Sequence, residues 1–262
     1  MIAYYILVFL FGLTVGSFLN VCIFRIPAGQ SIVTPPSHCP ACGKRLQPLD
    51  LVPLFSYLFL KGSCRYCKAR ISPRYPLVEL LTAGVFLLLF YRYSASPEFL
   101  FLVLFMAILT AIFFIDLDHQ IIPDELVISA LAVSGAAYLF HLFRPLSLYG
   151  DTHWWTPLLG MLPGTVFLFL VLLVGLILYK GEDAMGMGDV KIFAPIGLML
   201  GWKLCILALM LSVITGGVIS LFLIATGIKK RKDAIPFGPF IVAGTYITLL
   251  WGWDILRWYL GG

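Results

Sequence analysis

Eight stretches of almost unbroken apolar residues divide this chain, and they limit its fold more than any other feature. They run at roughly 3–24, 76–93, 98–116, 125–143, 157–179, 188–201, 203–228 and 237–258. Crossing a bilayer as a helix takes about 20 apolar residues, within a range of roughly 17–25. The sixth stretch is short for that and reads as a half-span or a cavity-lining helix. Barrel strands would alternate apolar and polar residues, whereas these runs are continuous, so helices that satisfy their own backbone are expected. With 61% hydrophobic residues, 12% charged ones and a mean hydropathy of +0.99, the chain holds more apolar surface than a soluble core can hide. The fold class expected is an all-α polytopic membrane protein of about eight transmembrane helices. The first segment, IAYYILVFLFGLTVGSFLNV, lacks a basic n-region and an A-x-A site and reads as a retained helix rather than a cleaved signal.

The net charge of +5 belongs to the loops of such a protein and does not call for nucleic acid. If the N-terminus is threaded outside, the inside loops and span ends hold Arg25, Lys44, Arg45, Lys61, Arg65, Lys68, Arg70, Arg74, Lys180, Lys191, Lys229, Lys230, Arg231 and Lys232. Outside remain Arg92, Arg144, Lys203 and Arg257. Basic residues collect on the cytoplasmic side of membrane proteins, so N-out and C-out is expected. The largest loop, 25–75, then lies in the cytoplasm.

That loop carries Cys39, Cys42, Cys64 and Cys67 as two C-x2-C pairs. Each pair supplies two thiolates from one tight turn, which is what a tetrahedral four-cysteine zinc site needs. Pro40 and Gly43 favour the turn. Two disulfides are the competing reading, and a reducing cytoplasm argues against them. Four cysteines leave no open position, so the zinc would be structural. Segment 49–60, LDLVPLFSYLFL, is apolar enough to pack on the membrane. Cys22 and Cys205 lie in apolar spans and read as small buried hydrophobes.

The chain has 13 acidic residues, and two groups of them fall at the inner ends of spans. One is Asp116, Asp118, Asp124 and Glu125 in FIDLDHQIIPDE; the other is Asp189 in GMGDVK. Ionisable groups near membrane depth are costly and usually line a site. Two aspartates facing one another would share a proton, one taking a proton from water while the other polarises a carbonyl. Gly186 and Gly188 would let a substrate backbone approach Asp189 and allow unusual dihedrals. Each acid also has a plainer reading. Asp124 beside Glu125 looks like helix-start chemistry, Asp118 like a solvated turn, Asp189 like a cap and Lys191 like an interfacial anchor. His119 reads as a loop histidine, and Glu79 as a partner for a loop arginine such as Arg74.

Taken together, these pieces resemble one family, the type IV prepilin peptidases, along nearly the whole chain. GSFLNV at 16–21 resembles the family's first-helix signature, the tetracysteine loop its cytoplasmic domain, and RYPLVE at 74–79 its second-helix entry. DLDHQIIPD at 116–124 and GMGDVK at 186–191 resemble its two catalytic segments, and PFGPF at 236–240 its last-helix motif. The resemblance implies Asp116 and Asp189 as the catalytic pair. It implies removal of a short basic leader from prepilins and secretion pseudopilins, after a glycine, followed by N-methylation with S-adenosylmethionine as donor. Gly62 falls in the segment that the resemblance links to methyl transfer. The domains implied are a first helix at 1–24, a tetracysteine loop domain with the methyltransferase part at 25–75, and a seven-helix peptidase membrane domain at 76–262. The bacterial inner membrane is the implied location, the bilayer and the prepilins are the partners, and a homodimer is left open. Segment 144–157 is long for the family's outside loops, and its aromatics read as an interface belt.

Two other classes stand against this reading. A membrane scaffold with a zinc-binding docking loop would use the aspartates only as caps. A proton-coupled transporter would want charges near the middle of several spans, and here the acids gather at span ends.

Overall fold

The computed structural model describes residues 2–178, 186–230 and 233–261. Lys180, Arg231 and Lys232 of the charge count lie outside these residues. The described chain is helical, with no strands among the described residues and two isolated bridges, His38–Arg45 and Ser63–Arg70. The helices are α1 (Ile2–Arg25), α2 (Phe55–Phe59), α3 (Arg74–Tyr93), α4 (Pro97–His119), α5 (Asp124–Phe143), α6 (Trp155–Leu178), α7 (Met187–Ala225) and α8 (Gly238–Leu260). All but α2 are long and apolar enough to cross a membrane.

The expected sixth and seventh segments are the two limbs of α7. A straight helix of its 39 residues would run about 58 Å, nearly twice a hydrocarbon core. Gly201 breaks it, with φ 74° and ψ 167°. Neighbouring helices show that the limbs run in opposite directions. Along α6, Gly160 meets Gly197 and Gly164 meets Phe193. Along α8, Gly252 meets Leu204 and Leu207, Gly244 meets Ser212, and Phe240 lies by Gly216. Gly188 of the first limb lies against Ile122 just past the end of α4, and Gly216 of the second lies by the start of α8, which meets the end of α4 through Gly238 and Asp116, so the reversal at Gly201 lies at the other end. A left-handed backbone at that corner is why the residue is glycine.

The chain divides into two compact units, Met1–Ala95 and Ser96–Gly262. In the first, α1 and α3 pack antiparallel. A Cβ on Gly12 would stand 2.6 Å from the Ala83 Cα, and one on Gly16 2.6 Å from the Glu79 Cα. Two glycines a helical turn apart thus bring the backbones together, as small residues do between membrane helices. Tyr5 and Phe11 close the seam with edge and tilted ring contacts to Phe90 and Phe86.

The second unit holds α4 to α8. Helices α4 and α8 are antiparallel: Tyr246 donates to the Met106 carbonyl at 2.9 Å, with Thr110 as a further hydroxyl partner, and Asp116 meets Gly238. Helices α6 and α7 cross at Gly160 and Gly197, where a Cβ on either would collide with the other's carbonyl group. Segment 144–154 is not wholly an interface belt. Tyr149 is buried and donates to the Leu198 carbonyl at 3.2 Å, Trp253 donates to the Leu148 carbonyl at 2.9 Å, and Trp154 remains exposed.

Backbone contact at the crossing predicts a sharp difference between two glycines. Gly197→Ala should cost about 1–3 kcal/mol by overpacking and lower the melting temperature in detergent. Gly217→Ala, with nothing within 4 Å of its new Cβ, should leave the melting temperature unchanged or raise it. Equal melting temperatures for the two variants would contradict the crossing.

Candidate active site and metal centre

Two acids of the second unit are buried at one end of its helices. Asp116 lies in the last turn of α4 and is 5% exposed; Asp189 lies in the first turn of α7 and is 8% exposed. Gly188 lies against Ile122 and Lys191 meets Asp124, so the start of α7 that carries Asp189 is held at the loop that follows Asp116. The N–H of Gly238, at the start of α8, donates to Asp116 Oδ2 at 2.9 Å. That oxygen is taken by the backbone, which leaves Oδ1 for other partners. A Cβ on Gly238 would stand 2.5 Å from Oδ2, so only glycine fits there.

Local structure sets these positions. Helix α4 ends on Gln120 in the left-handed region at φ 55°, and the Gln120 N–H donates to the Asp116 carbonyl at 2.9 Å. The chain then runs through Ile121 and Ile122 to Pro123, whose fixed φ suits the residue before a helix. A Cβ on Gly188 would lie 2.9 Å from the Ile122 Cβ, so this glycine makes room for the connecting loop. Neither glycine of GMGD adopts the unusual dihedrals expected of it. Gly186 is at φ −72° as the N-cap of α7, and Gly188 is not among the positive-φ glycines. Gly186 is the one that faces the carboxylate, since a Cβ there would sit 3.7 Å from Asp189 Oδ2.

The capping readings change as well. Pro123, not Asp124, is the N-cap of α5, and Asp124 is its first helical residue. Its carboxylate accepts from Lys191 Nζ at 2.8 and 3.1 Å. Lys191 therefore ties α7 to α5 across the loop and is more than an interfacial anchor. Both side chains are largely exposed, so the pair is worth under about 1 kcal/mol and acts by register more than by energy. Sequence reasoning missed this pairing and the Gly238 amide. A glycine opening α8 marks first-turn N–H groups that lack intrahelical partners, and nothing in the sequence says which acid they meet.

In the first unit, four sulfurs gather. Cys39, Cys42, Cys64 and Cys67 place their Sγ atoms within 4.8 Å of one another, with Cys39 and Cys67 at 3.8 Å. Tetrahedral Zn–S bonds of about 2.3 Å would set sulfurs roughly 3.8 Å apart, so the cluster fits a divalent ion of that kind. All six cysteines of the chain are free thiols.

The two turns share one build. The Cys39 N–H donates to the Lys44 carbonyl and the Cys64 N–H to the Ala69 carbonyl, at 3.0 and 2.8 Å. The residue after each pair is left-handed, Gly43 at φ 69° and Lys68 at φ 61°. Amides of Cys42 and Ala41 aim at the Cys39 sulfur and push its pKa below the ordinary thiol range, which favours the thiolate that a metal ion binds. Asp50 fastens the second turn, accepting from Gln47 N at 3.1 Å, Arg65 Nε at 2.6 Å and Tyr66 Oη at 3.1 Å. Burial alone would raise the Asp50 carboxyl, and these three donors together hold it below the usual range. Lys44, in the first turn, lies over the Tyr66 ring at 4.5 Å.

Gly62 stands at φ 66°, and a Cβ there would be 3.0 Å from the Tyr57 hydroxyl. The turn and Tyr57 account for this glycine by themselves.

A chain that carries both a membrane bundle with two buried aspartates and a tetracysteine cluster narrows the class of protein. The sequence profile described as Bacterial Peptidase A24 N-terminal domain matches residues 10–93, and that of the Type IV leader peptidase family matches residues 103–221. The prepilin leader peptidase/N-methyltransferase of Aeromonas salmonicida (strain A449) is 36% identical over 282 residues, covering 98% of this chain and 94% of that protein. Its namesake from Bacillus subtilis (strain 168) is 35% identical over 254 residues, with 97% of each chain covered. That from Pseudomonas aeruginosa is 34% identical over 285 residues, covering 99% of this chain and 94% of the relative. No solved structure matches the chain. The chain belongs to the type IV leader peptidase family.

Proposed function

We propose that this protein is a membrane aspartic endopeptidase that removes the basic leader of prepilins and pseudopilins and then N-methylates the new N-terminus. The reading is carried by one observation, the burial of Asp116 and Asp189 together at one end of the bundle with a backbone N–H fixed on Asp116 Oδ2. Asp116 accepts a first-turn amide of α8, 122 residues further along the chain, but capping alone does not call for a second buried acid at the same end of the bundle.

Mechanistically, one carboxylate removes a proton from water as the oxygen attacks the scissile carbonyl, and the protonated partner gives its proton to the carbonyl oxygen. The tetrahedral intermediate then breaks its C–N bond, and the departing nitrogen takes up the proton. Asp116 Oδ1 is the oxygen best placed for the water, because Oδ2 is held by Gly238. Burial of both acids excludes bulk water and strengthens the charge interactions that drive the step. The methyl group comes from S-adenosylmethionine, as the names of the relatives imply.

The protein is a multi-pass inner-membrane protein. With both termini outside, the carboxylates open to the cytoplasmic interface, where the leader of a prepilin ends and its apolar helix begins. The division we propose is a first helix at 1–24, a tetracysteine loop at 25–75 as the methyltransferase part and a seven-helix peptidase region at 76–262, whose first helix, α3, packs on α1 within the first compact unit. A zinc ion held by Cys39, Cys42, Cys64 and Cys67 would fill its coordination with thiolates. It would supply a cross-link between the two turns and no open position for chemistry.

Three measurements test this. Purified Asp116→Asn and Asp189→Asn proteins, mixed with a prepilin in detergent, should each cut at background level while melting like the parent; full processing by either would remove that aspartate from the mechanism. Gly238→Ala, which pushes on Asp116 Oδ2, should lower cleavage about a hundredfold while methylation of a pre-cleaved pilin persists. Elemental analysis should find about one zinc per chain, and Cys39→Ser with Cys64→Ser should remove it. Metal-free parent protein with full methyl transfer would rule the zinc out.

A further inference from the structure

The first unit contains a buried carboxylate that peptide cleavage does not use. Glu79 of α3 is 7% exposed, and its Oε2 accepts the N–H of Leu54 at 2.7 Å. The Ser17 hydroxyl of α1 stands in hydrogen-bonding reach of the same carboxylate. Gly16 allows this, because any larger residue would strike the Glu79 Cα. Leu54 has φ 62°, a left-handed backbone that leucine rarely adopts. Such a conformation persists only where its surroundings fix it. Here the fixing group is a buried acid from a helix 25 residues further on.

The anchor is continuous with the tetracysteine loop. From Leu54 the chain enters α2, and the Tyr57 carbonyl accepts the Gly62 N–H at 2.9 Å. The Gly62 carbonyl accepts the Ile71 N–H at 2.8 Å, closing the segment around the Cys64–Cys67 turn. Two more side chains fasten the start and end of the same loop. Arg25 donates to the Ser31 and Pro35 carbonyls at 2.9 and 2.7 Å, and Asn20 donates to the Tyr75 carbonyl at 3.1 Å. Asp50 ties the middle of the loop to the second cysteine turn, and Glu79 ties it to α3.

We infer that Glu79 is a positioning residue for methyl transfer, acting through the Leu54 amide on the 54–62 segment and taking no part in leader cleavage. The inference rests on the reading that the tetracysteine loop serves methyl transfer. Glu79 touches neither the methyl donor nor the amine in this account. It sets where the loop stands.

The test uses the full-length protein in detergent with two assays, prepilin cleavage and methylation of a pre-cleaved pilin, beside zinc content. Glu79→Ala should lower the kcat of methylation roughly tenfold to a hundredfold, the penalty for misplacing reacting groups by about an ångström. Cleavage should stay within about twofold, the scale of a surface substitution. Glu79→Gln, whose amide oxygen still accepts the Leu54 N–H, should recover most of the loss. Limited proteolysis should cut between 52 and 62 faster in the alanine variant than in the parent or the glutamine variant. Unchanged methylation in Glu79→Ala, or cleavage and methylation falling in parallel, would overturn the inference. Cys39→Ser with Cys64→Ser is the control for the underlying reading: full methylation there would sink that reading, and this inference with it, whatever Glu79→Ala does.

Discussion

A carboxylate held among apolar helices needs a donor, and in this protein the donor is a backbone N–H from a distant part of the chain. Gly238 supplies it to Asp116, and Leu54 supplies it to Glu79. Hydrogen bonds to charged groups contribute about 1.5–3 kcal/mol, and leaving such a group bare costs more. Each acid therefore holds its loop in place as much as the loop holds the acid. The fold around each pair follows from that need. The start of α8 must reach the end of α4, and segment 52–54 must reach the α1–α3 seam.

Glycines make both arrangements reachable. In lipid, helices gain little by hiding apolar surface from one another, so close backbone approach carries more of the packing. Gly12 and Gly16 bring α1 onto α3, and Gly160 and Gly197 bring α6 onto α7. The second crossing orients the short limb of α7 whose first turn carries Asp189. Gly188 and Gly238 then clear space for Ile122 and for Asp116 Oδ2. Much of the glycine content that a sequence reader would assign to loops is spent inside helices, where each absent Cβ lets a specific neighbour in.

Much of this was legible beforehand, and the reasons differ by feature. The apolar runs marked the helices because bilayer thickness fixes their length. The cysteine spacing marked the four-sulfur cluster because each C-x2-C pair brings two thiols into one tight turn. Asp116 and Asp189 could be chosen from five acids only by resemblance to a family, since spacing alone fits capping equally well. The Lys191–Asp124 pair and the two amide–carboxylate contacts were not legible. They join residues 67, 122 and 25 positions apart, and no periodicity records such pairs. The glycines of GMGD misled for a related reason: a missing Cβ signals room, and sequence does not say for what.

The same device serves two chemistries with different demands. Proteolysis needs an acid whose position tolerates little error, because its proton must move as the water attacks. Gly238 meets that demand directly, with its N–H on the acid itself and no side chain in between. Methyl transfer needs two separate molecules brought together, so orientation of a surface matters more than the state of any one acid. Glu79 suits that demand, because it fixes the strained turn at Leu54. The two anchors lie in different compact units of the chain. Changes to one can therefore alter one activity and spare the other, so a chain built this way could lose methylation in evolution without losing its protease.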